Sequence, residues 1–247
     1  MRKKWLLLIT VIILGGIAAM EIYDYFFFPQ TIYKPRAFTP LEVGRREFSI
    51  FKDNEFVGRY IFWVDGLGEY KGQTAYFTHA QTSVAYKNKT LELRTAYVFN
   101  DKLNPLDYSL NATLDGEGQT LVAVFDGWNV SVAITEMNDT INKSIELPAN
   151  SVLIDNNNFG HWDLFLRSFD LVSGRRVSFT AFVPQYLDKI EDEIVVDSDI
   201  KTITISGANY DCTVARTTKQ NLVFYIYKGS LIRLDESSQN MSIYAVQ

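Results

Sequence analysis

Hydrophobic and polar residues alternate with a period of two over most of the chain after Arg45, the pattern of strands with one buried and one wet face. Val130, Val132 and Ile134 interleave with Ser131, Ala133 and Thr135, and Leu91, Leu93, Tyr97 and Phe99 stand opposite Glu92 and Arg94. Phe48 and Ile50 lead into Lys52-Asp53-Asn54-Glu55, and the pattern returns through residues 56–64, which predicts a hairpin. Further strands are expected at 74–86, 91–99, 106–114, 119–125 and 130–135, punctuated by turn residues at Asn88-Lys89, Asn104-Pro105 and Asp115-Gly116-Glu117-Gly118. The same text resumes at 176–183, 200–206, 208–217, 230–235 and 241–246. Residues 222–227 are apolar on both faces, which predicts a central strand covered on both sides.

One segment has a different period. Trp162, Phe165, Leu166 and Phe169 fall at i, i+3, i+4 and i+7 after the cap signal Asn156-Asn157-Asn158, so a short amphipathic helix is expected there, ended by Gly174. The whole reads as mainly β, with about twelve antiparallel strands around one helix. So long a sheet must curl, and a helix with one aromatic stripe must bury it. The expected architecture is therefore a strongly curved antiparallel sheet, a half-barrel or open barrel, with the amphipathic helix packed in its concavity. Trp162, Phe165 and Phe169 are the candidate ligand-facing residues in that hollow, against the plainer reading that such a stripe fills a core.

The start of the chain breaks the alternation altogether. Arg2, Lys3 and Lys4 precede an apolar run from Trp5 to Met20, extended by Ile22, Tyr23, Tyr25 and Phe26-Phe27-Phe28. Cations before an apolar segment keep that end in the cytoplasm, and interfacial aromatics suit the far end of a membrane helix. Residues 1–28 read as a transmembrane anchor, with a cleaved secretory signal as the alternative, since Gly16 and Ala18 stand near a small-residue cleavage position. Either reading exports the remainder of the chain, as a single-pass membrane protein with an extracytoplasmic C-terminal domain or as a secreted one. Residues 29–44, with Pro29, Pro35 and Pro40, read as an extended stalk, and 45–247 as one β-rich domain.

Charge narrows the partners. Beyond Met20 the chain carries 21 Lys and Arg against 29 Asp and Glu, a formal charge of −8, which argues against nucleic acid or anionic lipid head groups as partners. The expected partners are the membrane through the N-terminal helix and a lipid or lipidated protein; no cofactor is expected. Cys212 is the single cysteine, so no intrachain disulfide forms. Six Asn residues open N-x-[ST] sequons: Asn88, Asn111, Asn129, Asn138, Asn142 and Asn240. Roughly two are expected by chance, so the excess makes them glycosylation candidates on an exported surface.

Candidate chemistry is sparse. His161 beside Asp163 offers a base that an acid orients for Cys212, although nothing in the spacing brings the three together. Two histidines and one distant cysteine lack zinc spacing. Glu191, Asp192, Glu193, Asp197 and Asp199 lack the ligand pattern of a calcium loop and read as a solvated turn. No G-x-S-x-G, phosphate-loop or dinucleotide motif is present, so no catalytic or metal residues are assigned and a non-enzymatic binding role is preferred to hydrolysis.

The second half nevertheless resembles a family. Leu171-Val172-Ser173-Gly174-Arg175-Arg176, Ile203-Thr204-Ile205-Ser206-Gly207-Ala208-Asn209-Tyr210-Asp211-Cys212 and Tyr225-Ile226-Tyr227-Lys228-Gly229-Ser230-Leu231-Ile232-Arg233-Leu234 are similar to an uncharacterised family of exported proteins. Its relatives include the periplasmic lipoprotein carriers and their outer-membrane receptors. The resemblance spans about residues 45–247 and implies a half-barrel whose hollow receives acyl chains, with no catalytic residues. This chain departs from it in having one clear helix where the carriers have several.

Overall fold

The computed structural model describes residues 30–35, 42–137 and 139–246. The expected membrane segment and Asn138 lie outside the described residues. No helix of the described residues is long and apolar enough to cross a membrane.

Sixteen strands form one sheet. The first in chain order are β1 (Gln30–Ile32), β2 (Gly44–Lys52), β3 (Glu55–Tyr70), β4 (Gln73–Tyr86), β5 (Lys89–Phe99) and β6 (Pro105–Leu114). Then come β7 (Glu117–Asp126), β8 (Asn129–Glu136), β9 (Asp139–Glu146) and the two-residue β10 (Val152–Leu153). The helix α1 (Phe159–Arg167) leads to β11 (Arg176–Val183), β12 (Asp188–Ile205), β13 (Ala208–Thr217), β14 (Leu222–Tyr227), β15 (Ser230–Glu236) and β16 (Met241–Ala245).

The strands make two meanders, β2 to β9 and β11 to β16, joined where β16 pairs antiparallel with β2. The short β1 and β10 lie parallel on the outer edge of β11, and β9 is the opposite edge. The sheet curls but stays open. Across the gap the Lys143 ammonium of β9 donates to the Leu187 carbonyl at 2.7 Å, a side-chain link in place of a strand ladder.

The strand count exceeds the expected dozen for identifiable reasons. The β9 sequence DTINKSIE offers no apolar alternation, because an exposed edge strand has no face to bury. The acidic run expected as a solvated turn lies inside the long strand β12, where Asp192 is buried. Its Oδ1 accepts from the Glu193, Thr218 and Lys219 amides at 2.7, 3.1 and 3.0 Å, which ties down the β13–β14 loop. Residues 30–33 sit in the stretch read as stalk, yet β1 pairs with β11 there and Tyr33 is buried. The Tyr33 ring lies 5.1 Å from Phe165 and its hydroxyl 2.9 Å from Ser168 Oγ; burial pushes that phenol up to about 12.

The helix runs through the hollow as part of the connection between the two edges of the sheet. Asn158 caps it, accepting from the Gly160 amide at 3.1 Å. It ends at Ser168, well before Gly174; Ser168 Oγ donates to the Phe165 carbonyl at 2.6 Å. Phe169 therefore lies just past the helix instead of completing its last turn. Gly160 permits the helix to press on β3, since a Cβ there would stand 2.4 Å from Cδ2 of the buried Phe62 ring and 2.7 Å from the Tyr60 hydroxyl. Gly160→Ala is expected to cost about 1–3 kcal/mol through overpacking, measured by urea denaturation, against a gain from helix propensity alone.

A second, smaller core lies on the convex face. Ile203, Ile205, Cys212, Val214 and Tyr225 pack there, so β14 buries Leu222, Phe224 and Ile226 on one side and Tyr225 on the other. This is the doubly covered strand that the apolar run of residues 222–227 predicts.

Candidate functional site

The helix divides the hollow into a filled middle and two open ends. Trp162 and Phe165 are fully buried: the Trp162 ring lies 5.0 Å from Phe224 and 6.3 Å from Phe179, and Phe165 lies 4.7 Å from Phe179. They are the packing between α1 and the sheet. Of the three aromatics expected to face a ligand, Phe169 alone borders either end cavity.

The cavity it borders, about 750 Å³, lies at the C-terminal end of α1 between Val64 of β3 and Lys228 of the β14–β15 turn. Its wall is charged. Asp163, buried on the helix, accepts from Arg46 at 2.6 Å, from Arg167 at 3.0 Å and from the Leu231 amide at 2.7 Å. With these partners the carboxylate ties α1 to β2 and β15.

The other cavity, about 700 Å³, opens at the N-terminal end of the helix. Inward positions of β2, β3, β4, β5, β14 and β16 supply its lining, including Ile50, Val57, Leu93, Leu222 and Ile243. These residues satisfy the strand alternation and are buried members of the main core that also border this cavity. Asn156, Asn157, Gln185, Tyr186 and Gln220 stand around its mouth. Sequence reasoning missed this site because its lining looks like any strand core; the triple asparagine signals only a loop and a helix cap.

Beneath the mouth runs a buried polar network. Tyr60 donates to Asn158 Oδ1 and accepts from the Gly160 amide at 2.8 Å, while Asn158 Nδ2 donates to Thr95 Oγ1 at 2.9 Å. Asp155 accepts from Tyr108 at 2.6 Å, from the Asn157 amide at 2.9 Å and from Gln185 Nε2. Burial raises the Asp155 carboxyl above its ordinary value despite these donors, and burial likewise raises the phenols of Tyr60 and Tyr108. His161 is neutral, held down to about 3 by burial; its Nδ1 accepts from the Asp155 amide at 3.1 Å.

The suggested catalytic grouping does not assemble. His161 meets the Asp155 backbone, Asp163 is bound to two arginines, and Cys212 lies in the convex-face core. Burial, with Asp211 nearby, raises the Cys212 thiol, which keeps it protonated and inert. His79 does reach Asp65, at 2.8 Å, but both side chains are about half exposed, 49 % and 52 %, and neither borders either end cavity. Among the described residues no three His, Cys, Asp or Glu side chains are grouped to hold a metal. Of the sequon asparagines, Asn88, Asn111, Asn129, Asn142 and Asn240 are all exposed.

With this geometry in view, three solved structures are similar to the chain. A β-barrel-like protein of a domain of unknown function, DUF1849, from Brucella abortus matches with a TM-score of 0.50 over 86 % of this chain and 97 % of its own, at 9 % identity. The likeness is one of fold. A DUF1089 family protein from Pseudomonas aeruginosa aligns over 85 % of this chain and 97 % of its own with TM-score 0.44, again at 9 % identity. A Bacteroides fragilis protein of YmcC-like fold, named as a candidate exported protein, aligns over 84 % and 96 % with TM-score 0.32 and 9 % identity. No family model and no curated protein matches the chain. The expected curved, barrel-like sheet thus has a solved counterpart whose function is unknown.

Proposed function

We propose that this chain is a non-enzymatic, extracytoplasmic binding protein for a hydrophobic ligand or lipidated partner, tethered to a membrane by residues 1–28. The observation that carries the reading is the cavity of about 700 Å³ at the helix N-terminus, with an apolar floor and an amide-rich mouth. Its size lies in the range of pockets that enclose small ligands, and its composition follows the usual plan of apolar walls with a few convergent polar groups. The cation-led apolar start of the chain supports the location, and the sequence resemblance to a family related to the lipoprotein carriers supports the ligand class. The exposure of the five described sequon asparagines fits an exported surface that could carry glycans.

The test is native mass spectrometry of the full chain held in an amphipol, together with uptake of an uncharged fluorescent acyl probe. Retained acyl species or saturable uptake are the expected result. A clean unliganded mass with no uptake would leave the second reading, a structural or partner-binding module, which the Trp162 and Phe165 packing in mid-hollow favours.

A further inference from the structure

The segment that the sequence marks as the anchor closes at Phe28, and Pro29 alone separates it from β1. Two peptide units reach about 7 Å, so the Pro-containing stretch gives no spacer ahead of the first strand. Which end of the domain this connection meets follows from the direction of β1. The strand is parallel to β11, with Gln30 opposite Arg176 and Ile32 opposite Ser178, and the Tyr33 amide donates to the Ser178 carbonyl at 2.8 Å. β11 in turn runs counter to the helix. It begins where the loop after the helix ends, and beyond its far end Gln185 and Tyr186 reach Asp155 and Asn156, just ahead of the helix. The Tyr33 hydroxyl stands 2.9 Å from Ser168 Oγ at the helix C-terminus. Three residues of strand carry the backbone about 10 Å further from the helix N-terminus by Gln30. The chain therefore enters the domain on the side of the helix C-terminus. The surface at that end suits a lipid interface. Val43, just ahead of β2, and Val172, in the loop after the helix, are 70 % and 46 % exposed. The cavity between them is lined by three cations, Arg46, Arg167 and Lys228, and three anions, Glu42, Asp163 and Asp170. Exposed apolar side chains among balanced charge fit a zwitterionic surface, with no net field to repel or select it.

Resting on the membrane tether in the reading above, we infer that the domain meets its own zwitterionic bilayer with the helix C-terminal end, and that the apolar cavity at the helix N-terminus opens away from that bilayer. Ligand then reaches the cavity from the far side instead of from the leaflet that holds the chain. The two ends are at least a helix length apart, about 13 Å for nine residues, so a probe confined to the lipid head groups separates them.

The full chain is reconstituted in phosphatidylcholine vesicles, with and without a nitroxide on the choline head group, and recovered by flotation. A fluorophore is attached through Val43→Cys or Val172→Cys at the helix C-terminal end. At the other end it is attached through Glu55→Cys, after the β2–β3 turn, or Ser238→Cys, which borders the apolar cavity. All four replaced side chains are exposed, and the wild type, whose Cys212 is buried, is the labelling control. Head groups occupy roughly 5–8 Å of each leaflet, so labels at 43 and 172 are expected to lose about half of their emission to the nitroxide, and those at 55 and 238 less than about a tenth. Equal quenching at the two ends, the reverse order, or none at either end overturns the orientation and leaves the tether and the cavity reading intact. A full chain that does not float with the vesicles overturns the tether and the orientation together.

Discussion

Trp162→Ala is expected to destabilise the protein by about 3–5 kcal/mol, the usual cost of deleting a fully buried indole. Trp162 is 1 % exposed, and its ring touches elements far apart in the chain: Phe165 on its own helix at 6.2 Å, Phe179 on β11 at 6.3 Å and Phe224 on β14 at 5.0 Å. The side chain's removal leaves a void at the point where the helix holds the second meander, and neighbours fixed in strands cannot collapse into it. Urea denaturation followed by circular dichroism measures the loss. A cost under about 1 kcal/mol would show that the helix is not seated on the sheet as described.

The second large effect is on acid stability. His161 is buried against Tyr97 and Tyr108, with ring centroids at 4.6 and 5.8 Å, and burial lowers it from 6.5 to about 3. A histidine kept neutral in the fold contributes its stability in full above 6.5, where the unfolded chain is neutral too. As pH falls from 6.5 toward about 3 the unfolded state takes up a proton that the folded state refuses, and stability drops by about 1.4 kcal/mol per pH unit. Asp155, raised by burial, acts in the opposite sense: its folded form protonates first, so acid relieves it as pH falls toward 3.8. Comparing the wild type with His161→Gln cancels the Asp155 contribution. The variant should lose the added pH dependence between 6.5 and 4.5, a difference of roughly 2–3 kcal/mol read as a change in urea midpoint. Parallel profiles for the two proteins would show that His161 is solvated.

Legibility in the sequence tracked the physics of each element. Strands with one buried face, such as β5 and β8, were plain because alternation is the direct imprint of a half-buried sheet. The edge strand β9 and the three-residue β1 left no such imprint, since what holds them is backbone pairing, which any side chain can accompany. The helix was visible through its aromatic stripe, but its end was not: Ser168 stops it by a local hydrogen bond to Phe165, a signal weaker in sequence than the glycine further on. The apolar cavity was hidden for a related reason. Ile50, Val57 and Ile243 occupy core-type positions, so nothing in their pattern distinguishes strand residues that border a cavity from those packed under α1. Which inward positions the helix covers depends on where it begins and ends, and that is a three-dimensional fact.

The pairing of Ile50 with Ile243 has a consequence for how such a chain is made. Each hairpin from β2 to β9 closes a short loop, so this half can zip up while later residues are still being synthesised. The strand that completes the β2 side is β16, close to the far end of the chain, and until it arrives β2 shows an unsatisfied edge. Until β16 closes that seam, the open edge of β2 is where a chaperone or a neighbouring nascent chain would pair most readily.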